Sequence, residues 1–323
     1  STQVCVERGW FEMPRWSTLS RRQGAVTPGL PRPRQRVFLD DFLIDREEVT
    51  AGNYSAFVAT TGGAALPALC GYEDVALVGD DATWHPERSQ AGSAERADHP
   101  VVCVTRSEAM AYCRERGGRL PTLAEWLKAG QPASPRATSY PWGESPPPVE
   151  FTPAWEVDSY ASFRLSHALG AASDFLGAEL DTQPVGERTL GASDWGVLDL
   201  AGSVSELLSD CLEELQVRYP EGAELDRPTG TNSESCEEAV LVAGSNWRSA
   251  AGAEGVGALT VYAMRDGADG FRALANDELV AGLGTPAALR RSWGRARPTG
   301  EAVTGAGNAR RSWRIGFRCV YDP

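Results

Sequence analysis

The chain has 323 residues, of which 42% are hydrophobic, and its formal net charge is −13 at pH 7. A chain of this length and composition can bury most of the surface that its unfolded form exposes, so intrinsic disorder is not expected. The negative charge argues against nucleic acid as a partner, because phosphate binding needs a clustered positive surface. No apolar run approaches the roughly 20 residues of a membrane-spanning helix, so the chain is not expected to span a membrane.

The seven cysteines and the first residue suggest export. The sequence begins at Ser1 and not at methionine, as it does after removal of an export signal, although a fragment of a longer chain would begin the same way. Stable disulfides persist mainly in oxidising compartments. We therefore expect a periplasmic, cell-surface or extracellular protein.

The N-terminal third predicts a strand and a helix after an irregular start. Residues 1–35 are rich in Arg and Pro and predict an extended arm or edge segment, which leads into a domain of residues 36–323. Apolar residues between Val37 and Ile44 indicate a strand. The segment Thr50 to Thr61 has helical spacing, with Thr50 as the predicted N-cap and Gly62 as the stop.

Two capping boxes mark further helices. A short buried strand is predicted from His99 to Val104, and Thr105-x-x-Glu108 then begins a helix that should run to Gly117 or Gly118. The second box, Thr122-x-x-Glu125, predicts a short helix that ends near Gly130. Beyond Gly143, dense Gly, Pro and Ser residues predict loops and short strands.

An ordered set of short motifs resembles the sulfatase-modifying-factor family, which includes the formylglycine-generating enzymes. Any one motif has little specificity, but the series follows the family order over roughly residues 37–320. In chain order the motifs are Phe42-Leu43-Ile44-Asp45, Glu48-Val49-Thr50, His99-Pro100-Val101, Ala111-Tyr112-Cys113, Gly118-Arg119-Leu120-Pro121-Thr122, Ala124-Glu125-Trp126, Tyr140-Pro141-Trp142-Gly143, Pro184-Val185-Gly186, Gly196-Val197-Leu198-Asp199-Leu200-Ala201-Gly202, Gly244-Ser245 and Gly316-Phe317-Arg318-Cys319.

This resemblance implies an α+β domain with the C-type-lectin-like fold of the formylglycine-generating enzymes, loop-rich, with short antiparallel strands and few helices. An alternative for the motif residues Arg119, Trp126, Trp142 and Phe317 is that they serve only as anchors of the core and loops. Likeness of fold does not by itself establish function.

The residues that carry the family's oxidation chemistry are not found. Family members that make formylglycine use two cysteines, shortly after the Gly-Ser motif, to bind copper and the substrate cysteine. Counting from Gly244-Ser245, the matching positions are Arg248 and Ala253, and residues 246–256 contain no cysteine. Neither side chain can supply a thiolate, so copper and copper-dependent formylglycine formation are not expected.

Other metal chemistry finds little support in the sequence. Iron-dependent sulfoxide synthases have related domains, but they add a helical domain that contributes histidines. A site built from His85, His99 and His167 remains an alternative, although scattered histidines are more often surface or core residues. An enzyme that uses a different set of residues in the same cleft therefore remains an alternative hypothesis.

The segment from Asp199 to Glu206 aligns with a calcium-binding loop of the family. By that resemblance the ligands are the side chains of Asp199 and Glu206 and the carbonyls of Gly202 and Val204. Such oxygen donors suit Ca²⁺ better than a soft metal. The alternative is a helix start with Glu206 in its first turn.

The resemblance also pairs Cys113 with Cys319. Cys70 with Cys103 and Cys211 with Cys236 are then plausible local bridges, which leaves Cys5 either free or joined to another chain.

The preferred hypothesis is an exported, calcium-stabilised, non-catalytic binding or structural module with a protein or glycan partner. Loops on a rigid frame suit recognition, and the predicted variable surfaces are residues 72–98, 212–235 and 252–310. Within or beside them, Trp247 and Trp293 either anchor a partner or pack against the domain. The competing hypothesis is an oxidase or hydroxylase with a non-cysteine site.

Overall fold

A computed structural model describes residues 3–14, 34–63, 65–66, 90, 93–131, 133, 140–143, 182–211, 214–220, 224–228, 236, 240–244, 261–267, 270–273 and 315–323. The helices in this part are α1 (Ala51–Thr61), α2 (Arg106–Glu115), α3 (Leu123–Ala129) and α4 (Leu215–Arg218). The strands are β1 (Gln3–Val6), β2 (Gly9–Pro14), β3 (Arg34–Leu39), β4 (Phe42–Asp45), β5 (Ser205–Cys211), β6 (Leu225–Asp226), β7 (Val240–Ala243), β8 (Val261–Gly267), β9 (Gly270–Ala273), β10 (Ile315–Gly316) and β11 (Val320–Tyr321). None of these helices is long and apolar enough to cross a bilayer.

These strands form three small sheets, ordered β1-β4-β11, β2-β3-β6 and β10-β5-β7-β8-β9. Most pairs are antiparallel, whereas β3 with β6 and β5 with β10 are parallel. The first and last strands flank β4, so the two ends of the chain close the same sheet. Short strands in several sheets with few helices confirm the predicted α+β, loop-rich fold.

Helix α1 begins and ends where the sequence predicted. The hydroxyl of Thr50 accepts a hydrogen bond from the backbone N–H of Asn53 at 3.2 Å. Gly62 has φ 70°, a left-handed conformation that favours glycine, and its N–H bonds to the carbonyl of Val58. Both ends are therefore decided by local side-chain and backbone chemistry.

Both capping boxes are also present. At the start of α2, Thr105 and Glu108 each bond the backbone N–H of the other. Thr122 and Glu125 do the same at the start of α3. Helix α2 ends at Glu115, slightly earlier than predicted, because the backbone turns at Arg116 and leaves the helix.

The predicted strand from His99 to Val104 is wrong, although its residues are buried as expected. Only an isolated bridge joins Pro100 to Thr50, and Cys103 has φ 67°, which breaks an extended backbone. The side chain of Gln90 supplies two of the segment's hydrogen bonds: its amide donates to the carbonyl of Pro100 and accepts from the N–H of Val102. Buried backbone groups need a partner, and here a distant side chain supplies it.

Two apolar clusters form the core. One packs α3, through Trp126 and Leu127, against β2, β3 and β7, and Trp126 is fully buried. The other gathers Tyr54, Tyr112 and Phe317, whose rings lie 5.4 to 6.0 Å apart along the series. Aromatic rings at these separations favour edge or offset contacts.

Disulfides connect distant parts of this frame. Cys113 of α2 is bonded to Cys319 beside β11, the pairing that the family resemblance implied, and Cys211 is bonded to Cys236. Cys103 is also in a disulfide. Its predicted partner Cys70 lies outside the described residues, and among those described Cys5 is free and exposed on β1.

The Cys113–Cys319 bridge should contribute more stability than Cys211–Cys236. Sequence separations of 206 and 25 residues close loops of very different length. In a chain-entropy model they are worth roughly 5 and roughly 3.5 kcal/mol. Replacing both cysteines by serine, one bridge at a time, should therefore lower the free energy of unfolding more for Cys113 and Cys319. Urea denaturation of the two double variants tests this, and a larger loss for the shorter loop would contradict it.

Candidate functional site

The predicted calcium loop is a tight turn that leads into a strand. Three of its residues have left-handed backbones, with φ 60° at Asp199, 83° at Gly202 and 53° at Ser203. Strand β5 begins at Ser205, so Glu206 is its second residue. The alternative that Glu206 lies in the first turn of a helix is therefore wrong.

Glu206 is paired with Arg318 in the interior of the protein. The guanidinium donates two hydrogen bonds to the carboxylate, from Nε to Oε2 and from Nη2 to Oε1, each at 2.7 Å. The indole N–H of Trp126 donates to the same Oε2 at 3.0 Å. The exposed fractions of the Arg318 and Glu206 side chains are 0% and 1%. A bidentate pair of this kind is both strong and geometrically specific.

The remaining N–H groups of Arg318 reach two further segments. Nη1 donates to the carbonyls of Asp45 and Arg46, both at 3.1 Å, and Nη2 donates to the carbonyl of Leu198 at 2.8 Å. All five guanidinium N–H groups are thereby bonded. One side chain of the C-terminal segment therefore connects the end of β4 with the residues before the predicted calcium loop.

Asp199 lies at the start of the loop and is 6% exposed. Its Oδ2 accepts a hydrogen bond from the N–H of Gly186 at 2.6 Å. Burial raises the pKa of Asp199 to about 6, and the hydrogen bond from Gly186 and the charge of Arg318 oppose this rise. Burial therefore disfavours the charged form of this carboxylate.

Glu48 joins the site from the connection between β4 and α1, and the sequence analysis named it only as part of a motif, with no role in the site. Its Oε2 accepts from the hydroxyl of Ser203 at 2.6 Å, and its Oε1 accepts from the N–H of Val204 at 3.1 Å. Burial, followed by the charges of Asp199 and Glu206, raises the pKa of Glu48 well above its ordinary value. Three buried carboxylates thus lie around one guanidinium.

Two of these carboxylates suit a hard cation. Asp199 and Glu48 present buried oxygens whose hydrogen-bond donors are backbone N–H groups and a hydroxyl, and carboxylate oxygens are the donors that Ca²⁺ prefers. Among the described residues no group of three or more His, Cys, Asp or Glu side chains is arranged to hold a metal. The ligand set that the resemblance implies is of a different kind, because it combines two carboxylates with the backbone carbonyls of Gly202 and Val204. This ligand set stays a prediction.

The position of the Gly-Ser motif links this cluster to the predicted catalytic segment. Gly244 directly follows β7, and its carbonyl accepts from the hydroxyl of Ser205 at 3.0 Å. Its φ is 80°, and a Cβ there would lie 3.3 Å from the ring of Trp126. Arg248 and Ala253, the positions that the resemblance matches to the family's two cysteines, lie outside the described residues.

The histidines are only partly described. His85 and His167 lie outside the described residues, so the three-histidine alternative is not tested. The Nδ1 atom of His99 lies 2.9 Å from the hydroxyl oxygen of Thr182. This contact joins the segment before α2 to the loop that leads to Asp199.

A separate buried carboxylate positions α3, which carries Trp126. Asp210 of β5 accepts at Oδ2 from the N–H of Leu123 at 2.5 Å and from the hydroxyl of Tyr219 at 3.4 Å. Its Oδ1 is buried without a hydrogen bond, 3.7 Å from Nη1 of Arg218. Burial raises the pKa of Asp210 to about 6, although the bond from Leu123 and the charge of Arg218 lower it.

Comparison with known proteins places this frame in a family. Residues 1–276 match the family model described as the sulfatase-modifying factor enzyme 1-like domain. The chain therefore belongs to the sulfatase-modifying-factor family. The match begins at the first residue, so it includes the segment that forms β1 and β2.

Curated relatives have two different activities. A formylglycine-generating enzyme of Streptomyces coelicolor is 30% identical over 202 residues, which are 55% of this chain and 60% of that protein. A hercynine oxygenase of Mycolicibacterium thermoresistibile is 31% identical over 191 residues, which are 56% of this chain and 38% of that protein. The chain thus matches less than two thirds of the length of either relative.

Among solved structures, PvdO from Pseudomonas aeruginosa has the same fold. The TM-score is 0.52 at 21% sequence identity, and the match covers 99% of this chain and 94% of PvdO. At that identity the likeness shows the fold alone.

Removal of Arg318 should be strongly destabilising. Arg318→Met leaves Glu206 buried without its charge partner, and breaking a buried pair in this way costs about 3–5 kcal/mol. Arg36→Gln is the control, because its pair with Glu224 is 53% and 58% exposed and such pairs contribute below about 1 kcal/mol. Urea denaturation measures the free energy of unfolding of both variants. Equal losses would show that the buried pair contributes no more to stability than the exposed pair.

Asp210→Asn should change how stability depends on pH. A carboxylate whose pKa is raised on folding, here from 3.8 to about 6, stabilises fully below its unfolded pKa and loses that stability as pH rises through its folded pKa. The wild type should therefore lose about 2 kcal/mol relative to the variant between pH 4 and pH 7. Urea denaturation across this range tests the sign, and a wild type that gains stability relative to the variant as pH rises would refute it.

Proposed function

We propose that this chain is an exported, calcium-stabilised, non-catalytic member of its family that acts as a binding or structural module. The proposed absence of catalysis rests on one observation. The sequence has no cysteine between Cys236 and Cys319, and both of these are already in disulfides. A thiolate pair after the Gly-Ser motif therefore has no source, and a copper site of that type needs soft thiolate ligands.

The retained frame supports a scaffold role. Trp126, Glu206 and Arg318 form a closed hydrogen-bonded network in the interior, and loops carried on a rigid frame suit recognition. The candidate partner surfaces, residues 72–98, 212–235 and 252–310, lie mostly outside the described residues. A protein or glycan remains the proposed partner class, with no nucleic acid because of the net charge of −13.

Calcium and export complete the proposal. The calcium loop is supported by the buried oxygens of Asp199 and by the tight turn through Gly202. Several disulfides support an oxidising compartment, since such bonds are rare where thiols are kept reduced. Free Cys5, which is exposed on β1, is available for a bond to another chain.

The second candidate is an oxidase or hydroxylase with a different residue set. The observation that favours it is the match to a hercynine oxygenase over 56% of this chain. Curated relatives of this chain therefore differ in the reaction that their names describe. Such an enzyme would need copper or iron ligands other than the two missing cysteines.

Formylglycine formation should be absent. Incubation with copper, oxygen and a Cys-x-Pro-x-Arg peptide should produce no aldehyde above a control without protein, because Arg248 and Ala253 cannot act as thiolates. The formylglycine-generating enzyme of Streptomyces coelicolor, assayed in parallel, is the positive control. Mass spectrometry of the peptide is the measurement, and a formylglycine product from this chain would overturn the proposal.

Metal content separates the two candidates. Elemental analysis of the purified protein should find calcium without stoichiometric copper or iron. Calcium that binds only the folded state at a hundredfold excess over its dissociation constant stabilises by about 2.7 kcal/mol, so a chelator should lower Tm. Stoichiometric copper or iron would favour the enzyme instead.

A further inference from the structure

We propose that two copies of this chain associate through the outer face of the sheet β2-β3-β6, related by a two-fold axis. Along β3, Val37 and Leu39 are buried in the core, so Arg36 and Phe38 lie on the opposite face of the sheet. This inference goes beyond the proposed function, because it depends neither on calcium nor on the absence of catalysis.

An aromatic row crosses the centre of this face. Trp10 of β2 lies directly opposite Phe38 of β3, and their ring centroids are 5.4 Å apart in an edge contact. Trp10 is 36% exposed, although tryptophan is highly buried on average. Tryptophan and arginine are the residues that most often contribute strongly to binding at protein interfaces. The row therefore offers an apolar centre that association would remove from water.

A pair of opposite charges lies on one side of the aromatic row. The Cζ atom of Arg36 lies 4.8 Å from the ring centroid of Trp10, so the guanidinium stacks on the indole. Its Nη1 donates to Oε1 of Glu224 at 2.8 Å, and both side chains are more than half exposed. This side of the face therefore presents both signs of charge to solvent.

The other side of the row repeats the arrangement. The Cζ atom of Arg227 lies 4.7 Å from the ring centroid of Phe38. Its Nε donates to Asp40 and its Nη1 donates to Asp226, each at 2.6 Å, and these side chains are also more than half exposed. Each aromatic ring is thus covered by an arginine that is paired with a carboxylate.

The charges on the two sides are complementary to each other. Arg36 and Asp40 lie two residues before and two residues after Phe38. A two-fold axis along the aromatic row, between two facing copies, exchanges the two sides. Arg36 of one copy then faces Asp40 of the second copy, and Glu224 faces Arg227 in the same way. Both contacts join opposite charges, and each occurs twice because the interface is symmetric.

A second copy fits this face better than a strongly basic or strongly acidic partner. A partner of one sign would meet like charges on both sides of the row, and such contacts cost affinity. Three strands of at most six residues cover only roughly 15 Å by 20 Å. Standard interfaces bury about 800 Å² on each partner, so we expect a reversible dimer whose population depends on protein concentration.

Sedimentation analysis of the full chain tests this interface. Every chain carries Cys5→Ser, which removes the exposed free thiol and with it any disulfide-linked dimer. The otherwise unchanged chain should dimerise reversibly towards millimolar concentration at physiological salt, which screens the repulsion between two chains of net charge −13. Trp10→Glu should weaken association at least about tenfold, because it places two carboxylates at the centre of the interface. The control Val217→Glu, at an 83% exposed apolar position of α4, should leave association unchanged.

A charge exchange tests the two-fold arrangement itself. Arg36→Glu places a carboxylate opposite Asp40 of the second copy, and Asp40→Arg places a guanidinium opposite Arg36. Each variant alone should therefore associate at least about tenfold more weakly. In an equimolar mixture of the two variants both contacts regain opposite charges, so dimers should return to nearly the level of the unchanged surface. Exposed ion pairs contribute little to folding, and circular dichroism checks that each variant is folded.

The possible outcomes decide the proposal in either direction. Recovery of dimers in the mixture, with association weakened by Trp10→Glu and not by Val217→Glu, supports it. An unchanged surface that stays monomeric, or that forms open-ended oligomers, overturns it. A dimer that persists in Trp10→Glu, or that fails to return when the two folded charge variants are mixed, overturns it as well.

Discussion

The buried guanidinium of Arg318 is the interaction on which the rest of the structure depends. Its five hydrogen bonds reach β5 through Glu206, the end of β4 through the carbonyls of Asp45 and Arg46, and the loop before Asp199 through the carbonyl of Leu198. Removal of two charges from water is costly, and only good geometry with full hydrogen bonding offsets that cost. Arginine meets this demand because its planar fork matches a carboxylate.

The contacts around this pair connect it to the Gly-Ser motif. The indole of Trp126 bonds Glu206, and Gly244 packs on the same ring, so the Gly-Ser motif is anchored to the buried pair. Nothing in these contacts involves a cysteine. This part of the frame therefore does not depend on a thiol, and a fold of this kind does not by itself establish a function.

The distribution of charge in the interior also follows from Arg318. One guanidinium meets three buried carboxylates and satisfies only Glu206 with an ion pair. Glu48 and Asp199 are left with neutral donors, and burial raises the pKa of both. A region of unbalanced negative charge inside a folded protein is where a cation or a proton has the most to contribute.

Features that depend on neighbouring residues were predictable from the sequence. The N-cap Thr50, the stop at Gly62 and the capping boxes at Thr105 and Thr122 all form where expected, because their hydrogen bonds span three or four residues. The series of motifs likewise identified the family and hence the fold. It also implied the Cys113–Cys319 bridge, whose two ends no local pattern connects.

Only the tertiary structure decided how distant polar groups pair. Glu206 and Arg318 are 112 residues apart, and Glu48 and Ser203 are 155 residues apart. Glu48 and Glu206 both lie in motifs that the sequence analysis recognised, but a motif does not reveal which distant group forms a hydrogen bond with its side chains. The segment from His99 to Val104 has the composition of a buried strand, yet the amide of Gln90 supplies the hydrogen bonds of Pro100 and Val102. Local sequence determines local hydrogen bonds, whereas the partner of a buried charge or an isolated backbone group depends on which segments the complete fold brings together.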